Sequence, residues 1–345
     1  MNKKIKSVLL IYTGGTIGMI QDPMSGELRP FDFNSLSEQI PELNKFNLEI
    51  NAVTFDRPID SSDMHPRNWS ALAEIIKENY KKYCGFVILH GSDTMAFTAS
   101  ALSFMLEGLD KPVILTGSQL PMGIIRTDGK ENLITAIEIA SMTNVKGEPI
   151  VPEVCIYFEY RLYRGNRTFK FSSRDFDAFK SPNYPELAEA GVDIVYNTPS
   201  IRRVERKKLK VHLSLENDVA VLKIFPGLSK KITESILLAR GTKAIVLETF
   251  GAGNCMTEKW FIQLLQKTIA KGVIVLNITQ CREGKVIQGM YQTSAHLLQA
   301  GVISGGDMTF EAAITKLMFL LGQKYPTEKI KKLLQQNLRG ELTVN

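Results

Sequence analysis

The 345-residue sequence is poor in the residues that build metal sites and disulfide frameworks. It holds four cysteines, which lie far apart in the chain, and no two of them are spaced as C-x-x-C. They are Cys84, Cys155, Cys255 and Cys281. This spacing contains neither a legible zinc site nor a disulfide framework, and it is typical of a protein kept in a reducing compartment. We therefore expect no bound metal and no structural disulfide.

Long apolar runs are absent too. No stretch approaches the roughly 18 residues that a membrane-spanning helix needs, so we expect no transmembrane helix. The apolar run at residues 8–12 is shorter than the core of a secretory leader, and no small-residue cleavage site follows it. We interpret this run as a first strand and expect a cytoplasmic protein.

The excess of positive charge is small, because 42 lysines and arginines stand against 36 aspartates and glutamates, for a net charge of +6. The densest basic run, RRVERKKLK at 202–210, has no interleaved aromatic residues, no helix-turn-helix pattern and no zinc-ligand spacing. A solvated connector explains such a run better than a nucleic-acid-binding arm does. We expect neither nucleic acid nor membrane among the partners.

Short β-rich runs alternate with helical patterns over the first half of the chain. These runs are residues 8–12, 48–55, 86–89, 113–116 and 154–158. Between the second and third runs, Trp69, Leu72 and Ile76 recur at three- and four-residue steps, which predicts an amphipathic helix over 66–83. The alternation predicts a large N-terminal, Rossmann-like α/β domain with a parallel sheet whose strands end at one edge.

The same alternation restarts on a smaller scale after the basic run. It predicts strands at 219–224, 244–248 and 273–278, with helices between and after them. We assign residues 1–200 to the first domain, 201–212 to a connector and 213–345 to a smaller C-terminal α/β domain. Two domains also agree with the length, since one domain holds roughly 150 residues.

Small polar turns follow several of the predicted strands. The first turn, residues 13–18 in YTGGTIG, matches neither the dinucleotide pattern G-x-G-x-x-G nor a P-loop. It offers two hydroxyls, Thr13 and Thr16, on a loop whose glycines let the backbone approach a small ligand closely. The alternative explanation for these residues is a turn with a purely structural role.

Three more turns of this kind are predicted at the same edge of the sheet. The second turn contains DSSD at 60–63, the third is HGSDT at 90–94 and the fourth is TGSQ at 116–119. Because ligands gather at the carboxyl ends of parallel strands, we expect a polar, glycine-lined cleft there. The acidic residues and Thr94 have a structural alternative, since each stands where it could cap the following helix.

The histidines do not complete a catalytic triad or a metal site. They are His65, His90, His212 and His296. Their scattered positions predict structural roles. If the cleft is catalytic, its nucleophile must be a hydroxyl activated by another group, and lysine is the obvious substitute.

The motifs of these turns, with others along the chain, resemble those of the bacterial cytoplasmic (type I) L-asparaginases. The matching segments are YTGGTIGM, DSSDM, HGSDTMAFTASALSFML, TGSQLPMG, RLYRGNRTFK, GGDMT and NLRGEL. The resemblance runs from about Ser7 to Leu342. It implies hydrolysis of L-asparagine to L-aspartate and ammonia (EC 3.5.1.1) through an acyl-threonine, without a cofactor. It also implies two α/β domains and assembly as dimers or dimers of dimers, with sites near a subunit interface.

Carried over by position, the resemblance makes Thr16 the nucleophile. The family's second catalytic set, Thr-Asp-Lys, corresponds here to Ser92, Asp93 and Lys170. The serine keeps the hydroxyl but loses the methyl group that restricts a threonine side chain. Ser61 matches a substrate-binding serine of the family, while Ser62 replaces a glutamine found in many secreted relatives. We expect Asp60, Gly91 and Ser118, which lie on the predicted turns, to line the substrate site with these two serines.

Two further positions depart from the family pattern. The tyrosine that touches the nucleophile in many relatives has no counterpart at residues 17–35, and Tyr291 is its expected substitute. Some type I enzymes also bind an effector asparagine. At that site Phe169 replaces a threonine and Glu248 stands in place of an arginine, which argues against the same regulation here.

The residues leave two alternatives open beside an asparaginase. One is a glutaminase-asparaginase of broader scope, because one methylene is worth only about 1–3 kcal/mol of discrimination. The other is a non-catalytic module that binds an amino acid in the same cleft. The proton acceptor stays open as well, since an ordinary lysine is almost fully protonated at neutral pH and a neighbouring carboxylate favours that form.

Overall fold

The computed structural model describes residues 5–21, 28–30, 40–203, 207–289 and 292–344. Its contacts divide the chain into two compact units, residues 1–213 and 214–345. The basic run at 202–210 falls within the first unit in this division. In the described part of the chain, no helix is both long and apolar enough to cross a membrane.

The first unit contains strands and helices that alternate along the chain. Its strands are β1 (Lys6–Tyr12), β2 (Met19–Gln21), β3 (Leu28–Pro30), β4 (Leu48–Thr54), β5 (Gly85–Leu89), β6 (Leu106–Glu107), β7 (Val113–Thr116), β8 (Val154–Phe158), β9 (Arg161–Arg164), β10 (Phe169–Lys170), β11 (Phe179–Lys180), β12 (Ala188–Ala190), β13 (Ile194–Tyr196) and β14 (Lys210–Val211). Its α-helices are α1 (Pro66–Asn79), α2 (Met95–Met105) and α3 (Gly129–Ser141).

Eight of these strands form one sheet in the order β13-β12-β9-β8-β7-β5-β1-β4. The five strands from β8 to β4 are parallel, and β9, β12 and β13 extend the sheet with antiparallel pairs. The parallel strands end in register, because Tyr12 pairs with both Thr54 and Leu89, and Leu89 pairs with Thr116. The four predicted turns therefore leave the sheet at the same edge.

The central strands are apolar on both faces because both faces are covered. All five residues of β5 and all five of β8 are buried, which is the continuous apolar pattern of parallel strands inside an α/β protein. Helix α3 packs Leu133, Ala136 and Ile137 into the same core cluster as residues of β1, β5, β7 and β8. This architecture confirms the predicted large, Rossmann-like α/β domain.

Helix α1 begins where its capping residues and its proline allow. Pro66 occupies the first helical position, where its missing N–H is not needed. The Arg67 N–H donates to Nδ1 of His65 at 3.3 Å, and the His65 N–H donates to Oδ1 of Asn68 at 2.9 Å. This reciprocal cap means that the acidic residues of the second turn do not cap α1, contrary to the structural alternative raised above.

The second unit is a smaller α/β unit, as predicted. Its strands β15 (Val219–Lys223), β16 (Ala244–Thr249), β17 (Ile274–Thr279) and β18 (Ile303–Ser304) form a parallel sheet in chain order. Its helices are α4 (Lys230–Leu237), α5 (Lys259–Ala270), α6 (Gln292–Gln299), α7 (Phe310–Gly322) and α8 (Thr327–Leu334). Ile245, Leu247, Phe261, Leu265 and Val275 lie in its core.

A buried ion pair joins α7 to the segment that follows α8. Lys316 Nζ lies 2.5 Å from Glu341 Oε1, and both side chains are 0% exposed. Lys316 also donates to the carbonyl oxygens of Leu334 at 3.0 Å and Gln336 at 2.6 Å, while Glu341 accepts from the Leu338 N–H at 2.9 Å. Burial raises the pKa of Glu341, but Lys316 and the N–H donors outweigh burial and lower that pKa overall. The charges have thus exchanged their water for protein partners.

Replacing Lys316 by methionine leaves Glu341 as an unpaired carboxylate in the core. We expect the Lys316→Met variant to lose about 3–5 kcal/mol of unfolding free energy, measured by urea denaturation. The matched control is Lys331→Met, which breaks the more exposed pair with Glu328, 2.7 Å apart, and costs at most about 1 kcal/mol. Equal losses in the two variants would contradict the structural importance of the buried pair.

Candidate functional site

The four turns at the carboxyl edge of the sheet are bonded to one another through the backbone. The Thr13 N–H donates to the carbonyl of Leu89 at 3.0 Å, and the Ile59 N–H donates to the carbonyl of Thr13 at 2.8 Å. Next to them, the His90 N–H donates to the carbonyl of Thr116 at 2.9 Å. These bonds continue the pairing of β1, β4, β5 and β7 past the strand ends and hold the turns side by side.

Gly15 brings the first turn into contact with the third. It has φ +88°, and a Cβ added there would lie 2.5 Å from the backbone nitrogen of Gly91. Only glycine fits both the dihedral angle and the space. Thr16 follows directly, is half-buried and begins the 3₁₀ helix Thr16–Gly18. Thr16, the proposed nucleophile, therefore directly follows Gly15, the residue that contacts Gly91.

Tyr12, the last residue of β1, braces the first turn. Its hydroxyl lies 3.3 Å from the carbonyl oxygen of Gly18 and 3.5 Å from that of Gly15, and it donates to them. Burial raises the pKa of Tyr12 to about 12, so the hydroxyl keeps its proton at neutral pH. Nothing in the sequence marks this tyrosine as a support of the site, because a tyrosine at the end of a buried strand is an ordinary core residue.

Lys170 binds the two polar side chains of the third turn. Its Nζ donates to Ser92 Oγ at 2.8 Å and to Asp93 Oδ1 at 2.7 Å. The Lys170 side chain is only 17% exposed, whereas that of Asp93 is 63% exposed, so the pair stands at the border between protein and solvent. The three residues matched through the resemblance are thus in contact, although Asp93 and Lys170 are 77 positions apart.

The segment before Lys170 is fixed in the interior of the first unit. Gly165 packs so tightly on α2 that a Cβ added there would lie 2.8 Å from Cβ of Ala99. Thr168 Oγ1 donates to the carbonyl of Arg164 at 2.7 Å, and the Arg164 guanidinium forms a buried ion pair with Glu153 at 2.6 Å. Lys170 then enters β10, which pairs with β11. The lysine therefore reaches the third turn from a rigid base.

Ser61 and Thr94 join the second turn to the third. Thr94 Oγ1 donates to the carbonyl of Ser61 at 2.6 Å and makes no side-chain capping bond to α2, so the alternative that Thr94 caps this helix is wrong. Ser61 is 3% exposed. A Cβ added to Gly91 would lie 2.6 Å from Ser61 Oγ, which places that hydroxyl directly against the Gly91 backbone.

Asp60 and Ser62 lie at the exposed rim of the same turn. Asp60 Oδ1 accepts from the Ser62 N–H at 2.9 Å and from the Ser62 hydroxyl at 2.8 Å. These two bonds, the backbone one first, lower the pKa of Asp60. Asp60 therefore caps the 3₁₀ helix Ser61–Asp63, and one of its carboxylate oxygens is engaged within the turn.

Ser118 in the fourth turn is 4% exposed, and its hydroxyl donates to the carbonyl of Leu120 at 2.6 Å. Asp128 accepts from the Gln119 N–H at 3.0 Å, and Gln119 Nε2 donates to the carbonyl of Asp175 at 2.9 Å. The fourth turn is thereby tied to the loop between β10 and β11. Gln119 belongs to the predicted fourth turn, whereas nothing in the sequence marks Asp128 as its support.

A chain of hydrogen bonds runs behind the third turn. Trp69 Nε1 donates to Thr98 Oγ1 at 2.9 Å, and Thr98 Oγ1 lies 2.8 Å from His90 Nε2. His90 Nδ1 lies 2.7 Å from the carbonyl oxygen of Gly91, which can only accept, so Nδ1 carries the proton and Nε2 accepts from Thr98. The neutral ring therefore fixes the Gly91 carbonyl, and the structural role predicted for His90 agrees with these contacts.

The structure describes all but one of the predicted site residues and places them in three groups. Thr16, Ser61, Gly91, Ser92 and Asp93 lie on turns in direct contact, Lys170 bonds to the third turn from β10, and we call these six residues the cleft. Asp60 and Ser62 lie at its rim, and the Ser118 hydroxyl bonds within its own turn. Tyr291 lies outside the described residues. Among the residues that the structure describes, no group of three or more His, Cys, Asp and Glu side chains could hold a metal ion.

Comparison with protein-family models identifies two matches along the chain. Residues 7–202 match the model described as "Asparaginase, N-terminal", and residues 218–334 match that described as "Glutaminase/Asparaginase C-terminal domain". The first match alone spans more than half of the chain.

Individual proteins with the same kind of name are similar to this chain over almost the full length of both chains. L-asparaginase 1 of Escherichia coli K12 is 46% identical over 344 residues, with 98% of each chain covered. The crystal structure of L-asparaginase I from Vibrio cholerae has a TM-score of 0.89 at 41% identity and covers 98% of this chain and 99% of its own. A probable cytoplasmic L-asparaginase from Campylobacter jejuni has a TM-score of 0.76 at 25% identity, covering 96% of this chain and 100% of its own.

The contacts of His90 predict a pH dependence of stability. Burial lowers the pKa of His90 from 6.5 to about 4. Between these pH values the imidazole is therefore protonated in the unfolded chain and neutral in the folded chain. We expect the contribution of His90 to stability to be complete above pH 6.5 and to fall by on the order of 3 kcal/mol as the pH drops toward 4.

The His90→Gln variant isolates this contribution, because glutamine does not titrate. Unfolding free energies of the two proteins, measured by urea denaturation from pH 7 to pH 4, should differ by an amount that declines steadily as the solution is acidified. A difference that does not change with pH would show that His90 is not held in its neutral form.

Proposed function

Since the chain belongs to the asparaginase family, we infer that it hydrolyses L-asparagine to L-aspartate and ammonia. The observation that carries this inference is the contact of Lys170 with Ser92 and Asp93, next to the point where Gly15 touches Gly91. Amide hydrolysis needs a nucleophile, donors for a developing oxyanion and a path for one proton. The cleft offers residues of the right chemistry for each of these tasks.

We propose that Thr16 is the nucleophile of the first half-reaction. Its Oγ1 forms an ester with the carboxamide carbon of asparagine, and the carbon–nitrogen bond breaks. The leaving nitrogen takes up the proton that Thr16 loses, so that it departs as ammonia. Water then hydrolyses the ester, which releases aspartate and restores the threonine hydroxyl. Two observations support this assignment. Thr16 directly follows Gly15, which contacts Gly91. The other threonine of the first turn, Thr13, is 1% exposed, and its hydroxyl donates to the carbonyl of Leu89.

We propose that backbone N–H groups of Gly91 and Ser92 stabilise the oxyanion. Within the part of the chain that the structure describes, these two groups donate to no protein acceptor. They stand where the first and third turns meet, which is the place that a carboxamide bound next to Thr16 would occupy. One such donor is typically worth about 3–4 kcal/mol of barrier.

Lys170 acts on Ser92 as a hydrogen-bond donor in the proposed mechanism. An ammonium that donates to Ser92 Oγ and to Asp93 Oδ1 uses two of its three N–H groups. The Ser92 hydroxyl proton must then point away from Lys170 and is available to a substrate or a water molecule. This arrangement assigns to Lys170 and Asp93 the orientation of Ser92, and it needs no histidine.

The two alternatives from the sequence are less well supported. A module that only binds an amino acid has no use for a lysine held against a serine beside a threonine turn. The relative from Escherichia coli and the solved structures from Vibrio cholerae and Campylobacter jejuni are named as asparaginases rather than glutaminases. Steady-state rates with asparagine and with glutamine as substrate distinguish an asparaginase from a glutaminase-asparaginase.

We also propose a cytoplasmic homo-oligomer, a dimer or a dimer of dimers. The cytoplasmic location is supported by the Campylobacter jejuni relative, whose description includes that word, and by four cysteines without a disulfide. The oligomer rests on the family resemblance alone. Light scattering coupled to size-exclusion chromatography measures the mass in solution, and a single chain mass would overturn this part of the proposal.

Replacing Thr16 by alanine should abolish asparagine hydrolysis, because no other hydroxyl takes its place at the first turn. Ammonia release at saturating asparagine measures the loss. The matched control is Thr13→Val, which removes a neighbouring threonine hydroxyl that serves structure; we expect near-normal turnover and a loss of about 1 kcal/mol in stability. A Thr16→Ala enzyme with more than about a tenth of the original rate would remove Thr16 from its proposed role.

Replacing Lys170 by methionine should lower kcat by at least about 100-fold, because Ser92 loses the donor that orients it. The control is Lys180→Met on the partner strand β11, where the lysine pairs with Asp177 outside the cleft. We expect that control to keep its activity. If Lys170→Met were only mildly impaired, Ser92 would not depend on the ammonium.

A further inference from the structure

A second concave site lies in the first unit, away from the cleft. It is a cavity of about 950 Å³, at the upper end of the range for ligand sites in proteins. Part of its wall comes from Asp110, just before β7, and from Pro152, just before β8. It therefore lies at the amino ends of these strands, whereas the cleft lies at their carboxyl ends.

Four residues of the basic run identified in the sequence line this cavity. Arg202, Arg203, Lys207 and Lys208 all contribute to its wall, against the two acidic residues Asp110 and Glu148. Asp110 Oδ1 accepts from the Tyr80 hydroxyl, so part of its charge is already engaged by the protein. The side chains around the cavity thus carry a net positive charge and favour an anionic ligand.

The amino end of the basic run is anchored in the core. The backbone N–H of Arg202 donates to Glu153 Oε1 at 2.8 Å, and Arg164 Nη2 donates to the carbonyl of Ser200 at 2.9 Å. Glu153 and Arg164 are themselves paired at 2.6 Å with side chains 3% and 5% exposed. A fully desolvated ion pair therefore sets where the arginines enter the wall.

The carboxyl end of the run is fixed separately. A Cβ added to Gly108 would lie 2.9 Å from the carbonyl oxygen of Lys208, so the chain passes directly over this glycine. Two residues later β14 pairs with β6. Because Arg202 and Lys208 are each held by the first unit, the two basic pairs lose less freedom on binding an anion than residues of a free surface loop would.

Another part of the cavity wall is apolar and contains three prolines. Its apolar residues are Pro149, Ile150, Pro152, Pro199 and Ile201. The loop that carries the first of these is shaped by Asn144, whose Oδ1 accepts from the N–H groups of Lys146 at 2.9 Å and Glu148 at 3.1 Å. Proline rings and a hydrogen-bonded loop make a preformed surface on which a flat apolar group can rest.

We propose that this cavity binds a small molecule that combines phosphate groups with an apolar, planar body, the chemistry of a nucleotide. The phosphates pair with the arginines and lysines, and the planar body lies on the proline wall. Asparagine hydrolysis uses none of these residues, so this site is independent of the proposed activity. An extended nucleic acid is less consistent with it, because the basic residues line one concave site rather than a long track.

Isothermal titration of the full chain tests this proposal with ATP, inorganic triphosphate and adenosine as probes, at about 150 mM salt to screen non-specific attraction. We expect saturable binding of one ATP per chain, weaker binding of triphosphate and still weaker binding of adenosine. The Arg203→Ala/Lys208→Ala variant should bind ATP at least about tenfold more weakly. The Lys230→Ala/Lys231→Ala variant removes the same charge from exposed positions on α4 and should bind ATP normally.

Several results would overturn the proposal. They are no saturable ATP binding, equal binding of adenosine, equal losses in the two double variants, or stoichiometric binding of a single-stranded oligonucleotide that ATP does not displace. The Arg203→Ala/Lys208→Ala variant should hydrolyse asparagine at the normal rate, which verifies that it is folded. The Thr16→Ala variant should still bind ATP, so the two sites can fail independently.

Discussion

The site depends on how closely the ends of neighbouring strands approach one another. Backbone bonds continue past β1, β5 and β7, and the turns after them meet where Gly15 lies against Gly91. A side chain at Gly15 would overlap the Gly91 backbone, so the contact exists only because that position is glycine. This contact sets the distance between the turn that carries Thr16 and the turn that carries Ser92. Chemistry that needs both residues is possible only at that distance.

The proposed catalytic set combines two kinds of support. The turns of Thr16 and Ser92 belong to the sheet and take their positions from its register. Lys170 instead comes from the two-stranded ladder of β10 and β11, which is fixed by the buried segment around Gly165 and Arg164. Replacing the usual threonine by Ser92 removes a methyl group from this junction, but the bond from Lys170 to the hydroxyl forms at 2.8 Å all the same. The hydrogen bond from Lys170 therefore orients the Ser92 side chain, which lacks the methyl group that restricts a threonine.

The sequence was sufficient to predict the five parallel strands of the large sheet and the edge on which the turns gather, but not the antiparallel strands β9, β12 and β13. Continuous apolar runs such as 86–89 and 154–158 correspond to fully buried strands, because a parallel sheet covered on both faces has no polar side to show. Capping was harder to predict. Asp60 and Thr94 have the right chemistry to cap a helix, yet Asp60 caps a 3₁₀ turn and Thr94 bonds to the second turn. The bond of Thr94 depends on a neighbour 33 positions away in the sequence. The contact between Lys170 and Ser92 was expected only through family resemblance, and no local pattern signals the hydrogen-bond chain from Trp69 to Gly91.

The ion pair between Lys316 and Glu341 makes the segment that follows α8 important for the stability of the second unit. Residues near a carboxyl terminus are often dispensable, since they contribute little to the core. Here Glu341 is wholly buried and neutralises a lysine inside α7. A protease that trimmed the chain after Leu338 would remove Glu341 and leave the buried lysine with the carbonyl oxygens of Leu334 and Gln336 but without this carboxylate. Loss of this segment would therefore destabilise the second unit, whereas an extension beyond it would leave the pair intact.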